Sequence, residues 1–196
     1  MKISKGQKLI AAGILLVVLD QVIKLLVKDG MVPGEHIDVL GDWFKLCYVE
    51  NEGMAFGMKF GGVAGKLILS VFRILLLGGL VWWIRSLYLR TPSEDGSKPA
   101  VPTGVLAGLT LIAAGAAGNI IDSIIYGPFL FGKVVDMFYF PLFTWPEWLP
   151  FLGGHIFFEP VFNFADSCVT IGALYLLIFQ YKFFSSPDKK PLKEKN

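Results

Sequence analysis

The sequence predicts an all-α membrane protein: four transmembrane helices in a single integral membrane domain over residues 1–196, with a small extramembrane sheet in one loop. Three observations carry this. The chain is 54% hydrophobic and only 17% charged, with a mean hydropathy of +0.60, whereas a soluble domain is about a quarter charged. Four apolar runs, about 9–27, 67–84, 105–125 and 162–179, each come close to the roughly 20 residues that a 30 Å hydrocarbon core requires. The basic residues are also divided unequally among the segments between those runs.

That division sets the orientation. Eleven Lys and Arg residues lie in the N-terminal arm (Lys2, Lys5, Lys8), the second-to-third loop (Arg85, Arg90, Lys98) and the tail from Lys182 onward. Five lie in the two outer loops, about 28–66 and 126–161, and Lys24 and Arg73 fall inside spans. The positive-inside rule places both termini in the cytoplasm and the two large loops outside. The first run resembles a signal peptide in following three lysines. It is too long for an apolar h-region, contains Asp20 and Lys24, and lacks a small-residue cleavage site, so it reads as a retained helix.

The loops carry their own signals. Phe44-Lys45-Leu46-Cys47-Tyr48-Val49-Glu50 roughly alternates and follows the turn signal Leu40-Gly41-Asp42, which predicts a strand. Trp145 and Trp148, in an aromatic segment of the second loop, suit the headgroup layer. Residues 91–102 read as a polar, proline-bounded linker, and no internal repeat is found. A net charge of +2, scattered along the chain, does not point to nucleic acid. Cys47 and Cys168 do not make a disulfide framework. No HExxH, clustered Cys/His or glycine-rich nucleotide loop predicts a metal or cofactor.

Polar residues inside the spans are the functional signal, because a carboxylate in hydrocarbon is costly. Asp20 and Lys24 stand four apart on the first span, acid first, the favourable order for a helical pair. The third span ends in Gly118-Asn119-Ile120-Ile121-Asp122. The fourth begins with Asn163 and Asp166, read as sharing a face at i, i+3 and joined by Thr170. These groups converge at one depth beneath the outer loops. His36 and His155, the two histidines, are both in loops, so an intramembrane Ser–His pair has no base. Paired aspartates remain: two brought close share a proton and can activate water for hydrolysis without a covalent intermediate. The candidates are Asp20, Asp122, Asp136 and Asp166, and physical reasoning leaves both Asp122 and Asp136 open as the partner of Asp166. A proton-coupled transporter is the competing class, but the acids cluster instead of tracing a path. A non-catalytic scaffold would leave the clustering of acids without a use.

Five motifs, Asp20-Gln21-Val22-Ile23-Lys24, Asn51-Glu52-Gly53-Met54-Ala55-Phe56-Gly57, Gly118-Asn119-Ile120-Ile121-Asp122, Val134-Val135-Asp136-Met137-Phe138 and Phe162-Asn163-Phe164-Ala165-Asp166-Ser167, resemble in order the signatures of the lipoprotein signal peptidase (signal peptidase II) family. The resemblance covers nearly the whole chain. It implies a bacterial inner-membrane aspartyl endopeptidase that needs no cofactor and works as a monomer among membrane lipids. Its substrate would be a diacylglyceryl-modified prolipoprotein, cut on the amino side of the lipidated cysteine. By resemblance the catalytic pair is Asp136 and Asp166. Asn51, Gly53, Asn119, Asp122, Asn163, Asp20 and Lys24 bind substrate or support the site. The first outer loop would form a β-cradle and a short interfacial helix, matched to residues 61–66. Two features depart from the family pattern. Ser123 stands where the family usually has arginine, and Asp136 and Asp166 are more widely spaced than usual, with expansions at residues 127–133 and around Trp145 and Trp148.

The basic asymmetry yields a direct test. A reporter active only outside the cytoplasm is expected to be active when fused near Gly62 or Gly154, and silent near Gly96 or after Asn196. The reverse pattern would put the acids at the wrong face for this reading.

Overall fold

The computed structural model describes residues 4–52, 62–90 and 100–185. Long apolar runs become helices because a helix satisfies every backbone N–H and C=O within one segment, which lipid otherwise leaves unpaired. Among the described residues, three helices are long and apolar enough to cross a membrane: α1 (Lys5–Gly30), α2 (Gly62–Tyr88) and α3 (Thr103–Ile125). Serine starts the first of them: Ser4 accepts from the Gln7 amide while the Gln7 side chain accepts from Ser4, a reciprocal cap. The fourth apolar helix, α4 (Phe164–Phe179), has 16 residues, shorter than a perpendicular crossing needs. It stops at Gln180 before the five-residue α5 (Tyr181–Ser185).

Helix α3 is the hub, with α1, α2 and α4 all packed on it. Its small residues permit the approach. A side chain at Gly115 would run into the Ala165 carbonyl and the Val169 side chain of α4. Leu87, Val105, Leu106, Leu109 and Leu176 close one end of the bundle. The large apolar side chains that remain outward, such as Ile14, Leu75 and Leu177, suit a hydrocarbon surround.

Besides the helices, two small sheets occur among the described residues. Strands β1 (His36–Leu40), β2 (Phe44–Asn51) and β3 (Val134–Tyr139) form one antiparallel sheet in that order. The strand expected at residues 44–50 is β2. Its partner β3 comes from the second loop, so one sheet ties both loops together. Register then sorts the side chains. Glu50 opposes Val135 and Val49 opposes Asp136, and directly opposed residues share a face. Tyr48, Val135 and Met137 pack on Val27 of α1, while Val49, Asn51 and Asp136 take the other face. The second sheet pairs β4 (Phe143–Thr144) with β5 (Ile156–Phe157).

One expectation changes. Residues 62–66 are the opening turns of α2 and not a separate interfacial helix, since α2 runs unbroken from Gly62 to Tyr88. Residue 61 and the motif residues 53–57, Gly53 among them, lie outside the described residues. Trp145 and Trp148, read together from sequence, part company. Trp145 packs edge-on against Phe143 and Phe157, whereas Trp148 is 78% exposed.

Packing at Gly115 should be measurable. Gly115→Ala is expected to destabilise the protein by about 1–3 kcal/mol, because the added methyl meets backbone that cannot swing aside. Gly78→Ala, with nothing within 4 Å of the new methyl, should be neutral or slightly stabilising. Thermal unfolding in detergent compares the two, and equal midpoints would contradict the α3–α4 contact.

Candidate active site

The fourth helix begins one residue after Asn163, and this corrects the picture of two polar residues on one helical face. Asn163 is extended and caps α4: its side chain accepts from the Asp166 amide, and the Asp166 carboxylate accepts from the Asn163 amide. A carboxylate in a first turn also meets the positive end of the helix dipole. Phe162, just before the cap, pairs with Phe138 of β3, which brings the α4 start beside the strand that carries Asp136.

Asn163 touches both candidate acids. Its side-chain Nδ2 donates to Asp136 Oδ1 at 2.7 Å, and its backbone N donates to Asp166 Oδ2 at 3.3 Å. The other two oxygens are served by amides as well. Asn51 Nδ2 donates to Asp136 Oδ2 at 3.1 Å, and Asn119 Nδ2 donates to Asp166 Oδ1 at 2.8 Å. Burial raises the Asp136 carboxyl to about 7, and the neighbouring charge of Asp166 pushes the same way. The Asn51 and Asn163 donors oppose this, but burial is the larger effect.

Below the pair lies a second cluster. The Lys24 ammonium, fully buried, sits 2.8 Å from Asp20 Oδ2 and 2.7 Å from Asp122 Oδ2, and donates to Asn119 Oδ1 at 3.0 Å. Each of these carboxylates also holds backbone. Asp20 Oδ1 accepts from the Ala165 amide at 2.9 Å, and Asp122 Oδ2 accepts from the Val135 amide at 3.3 Å. Ala165 precedes Asp166 and Val135 precedes Asp136. Gly118 leaves room for the Asp20 carboxylate, which a side chain there would strike.

The structure therefore brings Asp20, Lys24, Asn51, Asn119, Asp122, Asp136, Asn163 and Asp166 into one connected polar network. Gln21 is a member that sequence reasoning missed. Its Nε2 donates to Asp20, to Asp122 and to the Gly118 carbonyl, and its Oε1 accepts from the Tyr126 hydroxyl. Its place between Asp20 and Lys24 was the available signal. Arg73 of α2 was set aside as a span residue, yet it is half-buried and acts electrostatically on Asp166 first, then Asp136 and Asp122. Ser123 is buried, its hydroxyl folded back onto the Asn119 carbonyl. The expansion at 127–133 packs here: the Gly132 amide donates to the Ser123 carbonyl, and Ser70 of α2 donates to the Leu130 carbonyl.

A family model described as "Signal peptidase (SPase) II" matches residues 12–182. The chain is 42% identical over 202 residues to a lipoprotein signal peptidase of Porphyromonas gingivalis, covering 90% of this chain and 84% of that protein. It is 36% identical over 203 residues to one of Amoebophilus asiaticus, covering 95% and 83%. A solved bacterial membrane enzyme, determined in meso at 2.3 Å resolution, superposes with a TM-score of 0.63 at 24% identity, covering 95% of this chain and 94% of that one. A second, at 1.9 Å, gives 0.62 at 26% identity over 89% and 93%.

The buried lysine generates a stability prediction. Lys24→Met leaves two buried carboxylates facing one another without their cation and should cost about 3–5 kcal/mol. Lys28→Met, at a partly exposed pair with Glu50, should cost about 1 kcal/mol or less. Equal losses in thermal unfolding would show that Lys24 is not the buried counter-charge described.

Proposed function

The chain belongs to the signal peptidase II family, and from that premise we propose that it is an aspartyl endopeptidase removing the signal peptide from diacylglyceryl-modified prolipoproteins. Cleavage falls on the amino side of the lipidated cysteine. α4 makes a fourth crossing of a bacterial cytoplasmic membrane, both termini are cytoplasmic, and the acids lie near the outer face. The protein works as a monomer among lipids, and its substrate's acyl chains stay in the bilayer and set the depth of the scissile bond. The observation that carries the chemistry is Asn163 bonded to both Asp136 and Asp166, with the Asp136 carboxyl raised to about 7.

In this reading Asp136 holds the proton and Asp166 is ionised. Asp166 takes a proton from water as its oxygen attacks the scissile carbonyl carbon, and Asp136 gives its proton to the carbonyl oxygen. The tetrahedral diol then collapses. The C–N bond breaks, the cysteine nitrogen takes the proton held by Asp166, and a diol hydroxyl proton returns to Asp136. Asn51, Asn119 and Asn163 keep the carboxyls oriented through the cycle. Arg73 offers positive charge from α2, a different helix from the one on which Ser123 departs from the family pattern.

Asp136→Asn and Asp166→Asn are each expected to abolish detectable prolipoprotein cleavage, since losing general acid–base catalysis alone costs about 10² to 10⁴ in rate. Asp122→Asn should retain more activity. The pH profile gives a sharper test. Asp136 acts as an acid, so kcat/KM should fall as pH rises through about 7, an apparent value belonging to the pair. Asn51→Ala removes a donor that favours ionised Asp136, so the falling limb should move to higher pH. A limb that stays in place, or full activity in Asp136→Asn, would falsify the assignment of Asp136 as the proton-bearing acid.

A further inference from the structure

Helices α1 and α2 each pack on α3 with little direct contact between them, and a groove of about 650 Å³ lies open there. Residues 6–18 of α1, 77–89 of α2 and 106–117 of α3 line it. Each stretch advances about 17–18 Å along its helix, close to half of a hydrocarbon core about 30 Å thick. The groove therefore belongs to one leaflet. Its deep end, at Val18 and Ala117, stops just short of Asp20 and of Gly118, against which the Asp20 carboxylate rests. At its mouth stand Arg85 and Tyr88, the tyrosine ring lying on Gly6.

The lining indicates what fits. Apart from Arg85, Tyr88 and Thr110 it is wholly apolar, and the Thr110 hydroxyl is spent on the Leu106 carbonyl of its own helix. Hydrocarbon already surrounds these helices, so an occupant gains packing contacts and not escape from water. A transmembrane peptide matches poorly, being a cylinder about 10 Å wide that needs apolar contact across the whole core. A single acyl chain matches the length and stays within one leaflet.

Charge selects the headgroup. Arg85 belongs to the lining, and Lys5 stands one turn before Leu9 on the same face of α1. Lys8 and Lys182 lie at the same end of the bundle, and residues 4–8, 85–90, 100–104 and 180–185 contain no Asp or Glu. Basic side chains beside a groove between transmembrane helices favour anionic lipid headgroups.

We propose that the groove between α1 and α2 binds one anionic phospholipid, with an acyl chain along residues 6–18 of α1 and the phosphate held by Arg85 and Lys5. In the orientation proposed above, this lipid comes from the cytoplasmic leaflet, on the far side of the bundle from the acid pair. It joins two helices whose packing is otherwise through α3. The site does not touch the acids, so its test is independent of the peptidase reading.

Native mass spectrometry of the protein in neutral detergent reads the site, with dioleoylphosphatidylglycerol and dioleoylphosphatidylcholine as probes. The first phosphatidylglycerol should bind about tenfold more tightly than the first phosphatidylcholine, the scale expected of two basic side chains at a headgroup. Arg85→Gln should lose most of that preference and Arg85→Lys should keep it. Lys182→Gln, a basic position at the same end but outside the groove, should leave it unchanged. Val81→Trp, at an exposed position in the groove wall, should abolish the tight first site. Should that variant not fold, the contrast between Arg85→Gln and Lys182→Gln decides alone. Equal affinity for the two lipids, equal losses in those two variants, or an unchanged first site in folded Val81→Trp overturns the inference. So does displacement of the lipid by an apolar transmembrane peptide, or a dimer that Val81→Trp separates, since either gives the groove another occupant.

Discussion

A lysine with no access to solvent is the constraint on which the rest of the structure depends. Burying an ammonium is unfavourable by several kcal/mol unless partners of opposite charge come with it. Lys24 has two, Asp20 four residues back on its own helix and Asp122 on α3. Each carboxylate then needs donors for its remaining lone pairs, and takes them from backbone: the Ala165 amide at the start of α4 and the Val135 amide in β3. Satisfying one buried charge thus pins the chain immediately before Asp166 and immediately before Asp136. The distance between those two acids follows from the width of a lysine–aspartate cluster, not from the loop of almost thirty residues between them. That is why the expansions in this loop are compatible with the arrangement.

The sheet supplies what the helices cannot. Asp136 is not on a helix, so something rigid must hold its backbone over the bundle. Pairing β3 with β2 does this, and the register puts Asn51 on the face of Asp136 while Glu50 turns the other way. Glu50 is then held by Lys28 and Lys133, anchoring the sheet to the C-terminal end of α1 and to the second loop. Lys28 lies over the Tyr126 ring at 4.8 Å and donates to the Tyr48 hydroxyl at 3.0 Å, so the contact is aromatic as well as ionic.

Much of this was legible in the sequence, for identifiable reasons. Apolar length places α1, α2 and α3, and the Asp20–Lys24 pair follows from helical spacing alone. β2 shows itself by alternation. β3 does not, because Val134, Val135, Asp136 and Met137 are buried on both faces and period 2 is lost. The capping role of Asn163 was hidden for a different reason. An apolar run looks continuous through Phe162 and Phe164, and only the reciprocal Asn163–Asp166 bonds mark where the helix starts. The backbone amides of Ala165 and Val135, central to the network, have no sequence signal, since any residue but proline could supply them.

Composition could not choose between Asp122 and Asp136 as the partner of Asp166, and the two acids differ in what surrounds them. Asp122 has a lysine at 2.7 Å, the Gln21 amide and a backbone N–H, so its negative charge is balanced and its oxygens are occupied by groups that hold structure. Asp136 and Asp166 bond to neutral amides, which orient both groups but cancel no charge. Two nearby carboxylates lower their energy by keeping one proton between them. The same buried polar region therefore contains one acid pair bridged by lysine and one bonded to neutral amides. In the proposed reaction it is the second pair that passes a proton to the substrate and takes it back.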